Sequence, residues 1–210
     1  MPTHNDLKEF RLAITGGTSG LGLALVRSLV ARGARVAFVA RTARAVEQIA
    51  NETGAYGIVG DIGRKPDTHP IALQVMGNLG GLDALINNAS ALGPTPLALL
   101  ADTECEELVQ ALRVNLLGPF RLTKALFGAL AASARNGRGA VVINISSDAA
   151  VNPYSGWGAY AASKAALRHL TARHTHARRR HLFGRRSDAR PAAPFRRALL
   201  HPSAHCISNR

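Results

Sequence analysis

Thr15-Gly16-Gly17-Thr18-Ser19-Gly20-Leu21-Gly22 is the stretch on which the fold turns. The chain enters it from a short apolar run, Arg11–Thr15 (RLAIT), and leaves it through residues 21–31 (LGLALVRSLVA). The apolar residues of that second segment recur at helical spacing and stop at Gly33. Strand, glycine turn and helix in that order make a pyrophosphate site. The glycines let the backbone turn sharply and approach the ligand, and the positive end of the helix stabilises its charge. The spacing Gly16-x3-Gly20-x-Gly22 differs from G-x-G-x-x-G, and without a lysine it is not a nucleoside triphosphate loop. For the segment alone, an ordinary tight turn requiring positive φ is the plain alternative.

Outward from the turn, strands and helices alternate. Arg35–Ala40 (RVAFVA) reads as a buried strand, and Thr42 stands as N-cap for a helix over residues 43–51. Tyr56–Val59, residues 82–87 (LDALIN) and residues 140–145 (AVVINI) read as further strands. Thr103 and Glu106 have capping-box spacing and open a long helix over residues 104–132, and residues 159–170 form another. Continuously apolar strands separated by helices predict an α/β fold, a Rossmann-type doubly wound parallel sheet with helices on both faces. At 210 residues the chain is long enough for one such domain and short for two.

The formal charge of +13 is concentrated at one end. Residues 1–167 hold 15 Lys and Arg against 12 Asp and Glu, whereas residues 168–210 hold 11 Arg, no Lys and one acid, Asp188. The chain therefore divides into a nearly neutral domain, 1–167, and a basic Arg/His-rich tail, 168–210, expected to be irregular. No apolar run approaches the ~20 residues that cross a bilayer. The start, MPTHNDLKEF, lacks a secretory pattern, and Cys105 and Cys206 form no disulfide framework. These features predict a cytoplasmic protein without membrane association.

The end of the second strand reports on the cofactor's ribose. An acid there would accept from a 2′-hydroxyl, but Ala40 is followed by Arg41 and Thr42. An arginine at that point holds a 2′-phosphate by charge-assisted bonds and favours NADP(H) over NAD(H); a solvated surface arginine is the alternative. Asp61 with Ile62, and Asn88-Ala89-Ser90 after Asn87, lie where ligands of doubly wound sheets bind. Asp and Asn also end strands for turn reasons, so each signal is weak alone.

Tyr160 and Lys164 are four apart on one helix and share a face. A lysine cation beside a phenol favours phenolate and is expected to lower the tyrosine pKa. Tyr160 then suits a general acid in carbonyl reduction and a base in alcohol oxidation. Ser147, after the fifth strand, is positioned to hold the substrate oxygen. Asn115 is an amide on the apolar face of the long helix and must be satisfied or functional. Pro119, four residues on, cannot bond to its carbonyl and predicts a kink, and the freed carbonyl can hold a water.

Thr15-Gly-Gly-Thr-Ser-Gly-Leu-Gly22, Asn87-Asn-Ala-Ser90, Asn115, Asn144-Ile-Ser-Ser147 and Tyr160-Ala-Ala-Ser-Lys164 occur in order. Together they closely resemble the short-chain dehydrogenase/reductase family over residues 10–167. The resemblance implies a catalytic tetrad of Asn115, Ser147, Tyr160 and Lys164. It also implies a cofactor site on the glycine motif (Thr15, Gly16, Thr18, Ser19, Gly20, Leu21, Gly22), with Asp61 at the adenine and Lys164 at the nicotinamide ribose. In the family the asparagine carbonyl positions a relay water, and members pair as homodimers or homotetramers through the long and Tyr/Lys helices. Ser90 stands where the family usually has glycine. Pro153-Tyr-Ser-Gly-Trp-Gly-Ala-Tyr160 looks like sepiapterin- and benzil-reductase-type members, pointing to a conjugated or aromatic carbonyl.

After the Tyr/Lys helix the resemblance stops. Family members continue with a sixth strand ending in Pro-Gly, a covering segment and a seventh strand. Here no Val/Ile-rich strand or Pro-Gly motif follows Lys164, so the sheet is expected to lack its last one or two strands. The Arg-, Ala-, Pro- and His-rich text reads like a GC-rich gene in a shifted frame. Loss of the pocket wall predicts weakened cofactor binding and low turnover. Six tail histidines with Cys206 fit no familiar metal spacing, and a nucleic-acid role is disfavoured because the first four-fifths is nearly neutral. Two readings remain. One is an NADP(H)-dependent oxidoreductase acting on a small carbonyl or alcohol. The other is an inactive nucleotide-binding protein whose basic arm contacts nucleic acid or anionic surfaces.

Overall fold

The computed structural model of the chain describes residues 7–181 and 196–200. Strands β1 (Arg11–Thr15), β2 (Arg35–Ala40), β3 (Tyr56–Val59), β4 (Ala84–Asn87) and β5 (Val141–Ile145) pair in parallel, in spatial order β3-β2-β1-β4-β5. Their continuous apolarity follows from burial on both faces. Helices α1 (Gly20–Ala31) and α2 (Ala43–Thr53) cover one face, where Val26, Val46 and Ile49 meet Leu12, Ile14, Val36 and Phe38. On the other face, α3 (Thr68–Leu79) and α5 (Gly118–Arg135) bury Ile71, Val75, Leu122 and Leu126 against Ala13, Val39 and Leu85. Strand order reverses between β1 and β4, which opens a crevice beyond their carboxyl ends.

Several sequence expectations are corrected. Helix α3 was not foreseen, and α2 runs to Thr53 with no side-chain cap bond from Thr42. The capping box sits one residue later than expected: the Glu104 backbone N–H donates to Glu107 at 3.0 Å, while the Thr103 hydroxyl donates back to the Leu99 carbonyl. The long helix is three pieces, α4 (Cys105–Leu112), a π-helical turn (Arg113–Leu117) and α5. Pro119, the second residue of α5, lacks the N–H that would continue the α ladder, and the wider turn absorbs the mismatch.

Helix α6 (Gly158–His181) runs past Arg168, where the composition changes. No strand was read beyond β5, yet Arg196–Leu200 lies parallel to it as β6, with Val141 opposite Arg196 and Ile145 opposite Leu200. Five residues led by two arginines lack the Val/Ile signature that the sequence reading required. His201, His205 and Cys206 lie outside the described residues.

Below the sheet, at the amino end of β4, Asp83 is fully buried. It accepts from Arg11 Nη2 at 2.7 Å, the Arg11 backbone N–H at 2.9 Å, Arg138 Nη2 at 3.0 Å and the Ser133 hydroxyl. Burial alone pushes its pKa up, but the two guanidiniums and the hydroxyl outweigh burial and hold it well below the ordinary carboxylate range. The folded-state pKa is depressed, so this stabilisation is present above the unfolded value and is lost as pH falls through the folded one. Asp83→Asn keeps the shape and removes the charge. Urea denaturation at pH 7 is expected to show a loss of about 3 kcal/mol that shrinks in acid; an unchanged midpoint contradicts the clamp.

Candidate functional site

The turn between β1 and α1 is fixed from behind. Thr15 is buried, and its hydroxyl accepts from the backbone N–H groups of Asn88 at 3.0 Å and Ala89 at 3.1 Å. The Asn88 amide donates to the Thr15 carbonyl at 3.0 Å and the Gly16 carbonyl at 3.2 Å. These bonds join the ends of β1 and β4 across the crevice, so Thr15 and Asn88 shape the turn from its inner side. At Gly22 a Cβ would run into the Gly16 carbonyl oxygen and sit 2.5 Å from Asn88 Nδ2. Only glycine lets α1 start this close to the turn. Ser19 leads into α1 without capping it, which leaves its hydroxyl available at the helix start.

Beyond the turn an open groove of about 610 Å³ runs along the strand ends. Of the residues expected at a cofactor, Gly16, Thr18, Ser19, Arg41, Thr42, Asp61, Ile62, Asn88, Ala89 and Ser90 line it. Thr15, Gly20, Leu21 and Gly22 build the turn and the start of α1 instead. The groove adds residues the sequence reading missed: Val39, Gly60, the loop from Ala91 to Thr95, and Val114. The loop directly follows Asn-Asn-Ala-Ser, and Val114 precedes Asn115 in the π turn, so both had a signal in their neighbours. Arg41 is exposed at the rim, with no ion-pair partner among the described residues. Asp61 turns one carboxylate oxygen to the Gly63 N–H at 2.8 Å.

Asn115 is fully buried and all of its amide is used. Its Oδ1 accepts from the Ala91 N–H at 2.8 Å and the Ser90 hydroxyl at 3.1 Å, and its Nδ2 donates to the Ala91 carbonyl at 2.7 Å and Ser163 Oγ at 2.8 Å. It therefore ties the π turn to the groove loop and to α6. Ser163 is a partner that the sequence gave no reason to choose.

Tyr160 and Lys164 share a face of α6, with the Lys164 Nζ 5.5 Å from the centre of the Tyr160 ring. Lys164 is 2% exposed, and its Nζ donates to the Ile145 carbonyl at the end of β5, 2.9 Å away. Burial lowers its pKa from 10.5 to about 8. For Tyr160 the sequence expectation is reversed. Burial dominates and pushes the phenol up, while hydrogen bonding with Ser147 and Ser90 opposes it and the Asp148 charge adds to the rise. Helical spacing fixes which side chains meet, but not how much water they lose. Ser147 N-caps the turn Asp148–Ala150, its Oγ accepting from the Ala149 N–H at 3.2 Å. Tyr154, Trp157 and Tyr160 form an edge-to-face series, with centroids 6.3 and 5.4 Å apart. Tyr160, Lys164, Ser147 and Asn115 thus meet at one end of the groove, next to Ser90.

Residues 11–181 match the family model for short chain dehydrogenase. The chain is similar to an L-fucose dehydrogenase of Mus musculus, 33% identical over 76% of this chain and 56% of that one. It is 34% identical to a cis-2,3-dihydrobiphenyl-2,3-diol dehydrogenase of Paraburkholderia xenovorans, over 77% of this chain and 58% of that one. The chain thus spans less than two thirds of either relative. A metagenomic short-chain oxidoreductase solved in complex with NADP superposes with a TM-score of 0.78 at 28% identity, covering 94% of this chain and 84% of that one. Among the described residues no helix is long and apolar enough to cross a membrane.

Proposed function

The chain belongs to the short chain dehydrogenase family of NAD(P)-binding oxidoreductases, and from that premise we propose that it interconverts a small carbonyl compound and its alcohol using NADP(H). The observation that carries this reading is the meeting of Tyr160, Lys164 and Ser147 at the end of a groove that begins at a glycine turn.

The groove fits a dinucleotide. The missing Cβ at Gly22 lets the start of α1 close on the turn, and its first-turn N–H groups and Ser19 are available to a pyrophosphate. Asp61 and Ile62 flank the adenine end, and Arg41 with Thr42 stands at the ribose. When bound, the nicotinamide supplies or accepts the hydride. The protein's own residues handle the oxygen: Tyr160 donates its phenolic proton to it during reduction and takes one back during oxidation. Ser147 orients that oxygen, and Lys164 adds positive charge beside the developing phenolate. The exposed Tyr154 and the Trp157 ring leading to Tyr160 support a flat, conjugated carbonyl as substrate. Leu117, Phe120 and Phe127, exposed along one helix, support self-association through α5.

The direct test is NADPH oxidation by the purified chain across a panel of diketones, with NADPH affinity measured by fluorescence titration. Binding without turnover on any member would leave nucleotide binding standing and remove the reductase reading. Arg41 carries the cofactor preference. Arg41→Ala is expected to lower the NADPH-to-NADH affinity ratio about tenfold, the loss of one exposed charge-assisted contact. An unchanged ratio excludes Arg41 as the 2′-phosphate ligand.

A further inference from the structure

Asp148, the residue after Ser147, has no part in the reading above, yet it is bonded to the site more tightly than its exposure requires. The Ser147 hydroxyl donates to Asp148 Oδ1 at 3.1 Å, and the Ala149 N–H donates to the same oxygen at 2.9 Å. The Tyr154 hydroxyl donates to Asp148 Oδ2 at 2.6 Å. The carboxylate is thus held on both oxygens, by residues on either side of the segment leading into α6.

A serine hydroxyl has one proton to give. A bond to an ionised carboxylate is roughly twice as strong as one between neutral partners. Asp148 therefore outcompetes a neutral phenol for the proton of Ser147, and Ser147 turns a lone pair toward Tyr160. The second hydroxyl beside the phenol is committed in the same way, because Ser90 gives its proton to Asn115 Oδ1 at 3.1 Å. Acceptors on both sides stabilise a phenol that keeps its proton. The other charge facing the ring is Lys164 on α6, which directs a proton to the Ile145 carbonyl at the end of β5.

We propose that Asp148, anchored by Tyr154, is a positioning residue: by taking the proton of Ser147 it makes Ser147 an acceptor for the Tyr160 hydroxyl and keeps Tyr160 in its acid form. This rests on Tyr160 being the proton donor, and its consequence is a site poised for carbonyl reduction at neutral pH. Freed from Asp148, Ser147 donates to Tyr160 and favours the phenolate.

The test needs neither substrate nor cofactor. Tyrosinate absorbance is titrated in the full chain, and the Tyr160 curve is isolated by subtracting the same titration of Tyr160→Phe. Asp148→Ala is expected to move the Tyr160 titration down by about one pH unit, and Tyr154→Phe by a smaller step of the same sign. In a Ser147→Ala background, Asp148→Ala is expected to have little effect. An equal shift in both backgrounds would mean that Asp148 acts by its charge alone, and no shift in either would mean that it only holds the turn; both overturn the proposal. Asp148→Asn, which keeps an acceptor without the charge, covers the case in which the alanine variant does not fold, and a smaller downward shift is expected. In the NADPH-dependent reduction the high-pH limb is expected to move down by the same amount in Asp148→Ala, with KM for the carbonyl compound nearly unchanged. Absence of turnover would count against the proposed reaction, while the titration would still decide the role of Asp148.

Discussion

Lys164→Met is expected to make the folded protein more stable and to make it nearly inert as a catalyst. The side chain is 2% exposed, and burial holds its pKa at about 8 instead of 10.5. Each unit of that difference corresponds to about 1.4 kcal/mol, so an ammonium at this position costs the fold about 3 kcal/mol at neutral pH. Methionine keeps the hydrocarbon stem and forfeits the bond to the Ile145 carbonyl, worth about 1 kcal/mol. The net expectation at pH 7 is a gain of about 2 kcal/mol in urea unfolding. The sign of the pH dependence follows from proton binding. Between the folded value near 8 and the unfolded value of 10.5 the unfolded chain binds more protons, so the stability of the unaltered protein rises with pH through that window. The advantage of the methionine variant should therefore shrink as pH rises from 8 to 10. Turnover is expected to fall about a thousandfold, because the charge beside the phenolate is lost. A variant that is less stable at pH 7, or that keeps its rate, contradicts this account.

Gly22→Ala is expected to raise the Kd for NADPH more than about a hundredfold. The added carbon would strike the Gly16 carbonyl oxygen and lie 2.5 Å from Asn88 Nδ2 and 2.8 Å from the Gly16 carbonyl carbon. None of these can yield easily. Two are backbone atoms of the turn, and the third is pinned by bonds to the Thr15 and Gly16 carbonyls. Relief requires the start of α1 to move away from the turn, which removes the N–H groups from the pyrophosphate. Gly20→Ala is the control. Its Cβ would meet nothing within 4 Å, and its φ of 50° costs a non-glycine residue only about 1 kcal/mol. Weakening by Gly20→Ala equal to that by Gly22→Ala, in a fluorescence titration, would show that conformation rather than contact governs this turn.

The strands were legible in the sequence because a strand buried on both faces is apolar throughout, and nothing else in this chain is so short and so uniformly apolar. Helix α3 was not, because His69 and Pro70 stand in its first turn and Gly77 in its interior, which disguise it as a loop. Spacing identified Tyr160 and Lys164 as neighbours, since four residues along a helix fix a face. It could not supply the dielectric around them, and the tyrosine pKa came out reversed for that reason. The partners of Asn115 lie 24 and 48 residues away in sequence, and no local pattern announces a contact of that span. Asp148 stood next to a recognised residue, but its bonds depend on a one-turn 3-10 helix and on Tyr154 folding back over it.

The neighbouring strands β1 and β4 are riveted at both extremities, by Arg11 and Asp83 at one and by Thr15, Asn88 and Ala89 at the other. The slot between their tips therefore cannot gape, and an incoming nucleotide meets walls already at their final separation. Accommodation must come from the rim, chiefly the Ala91–Thr95 loop. Amide exchange should accordingly slow there on nucleotide addition and stay constant along the two strands.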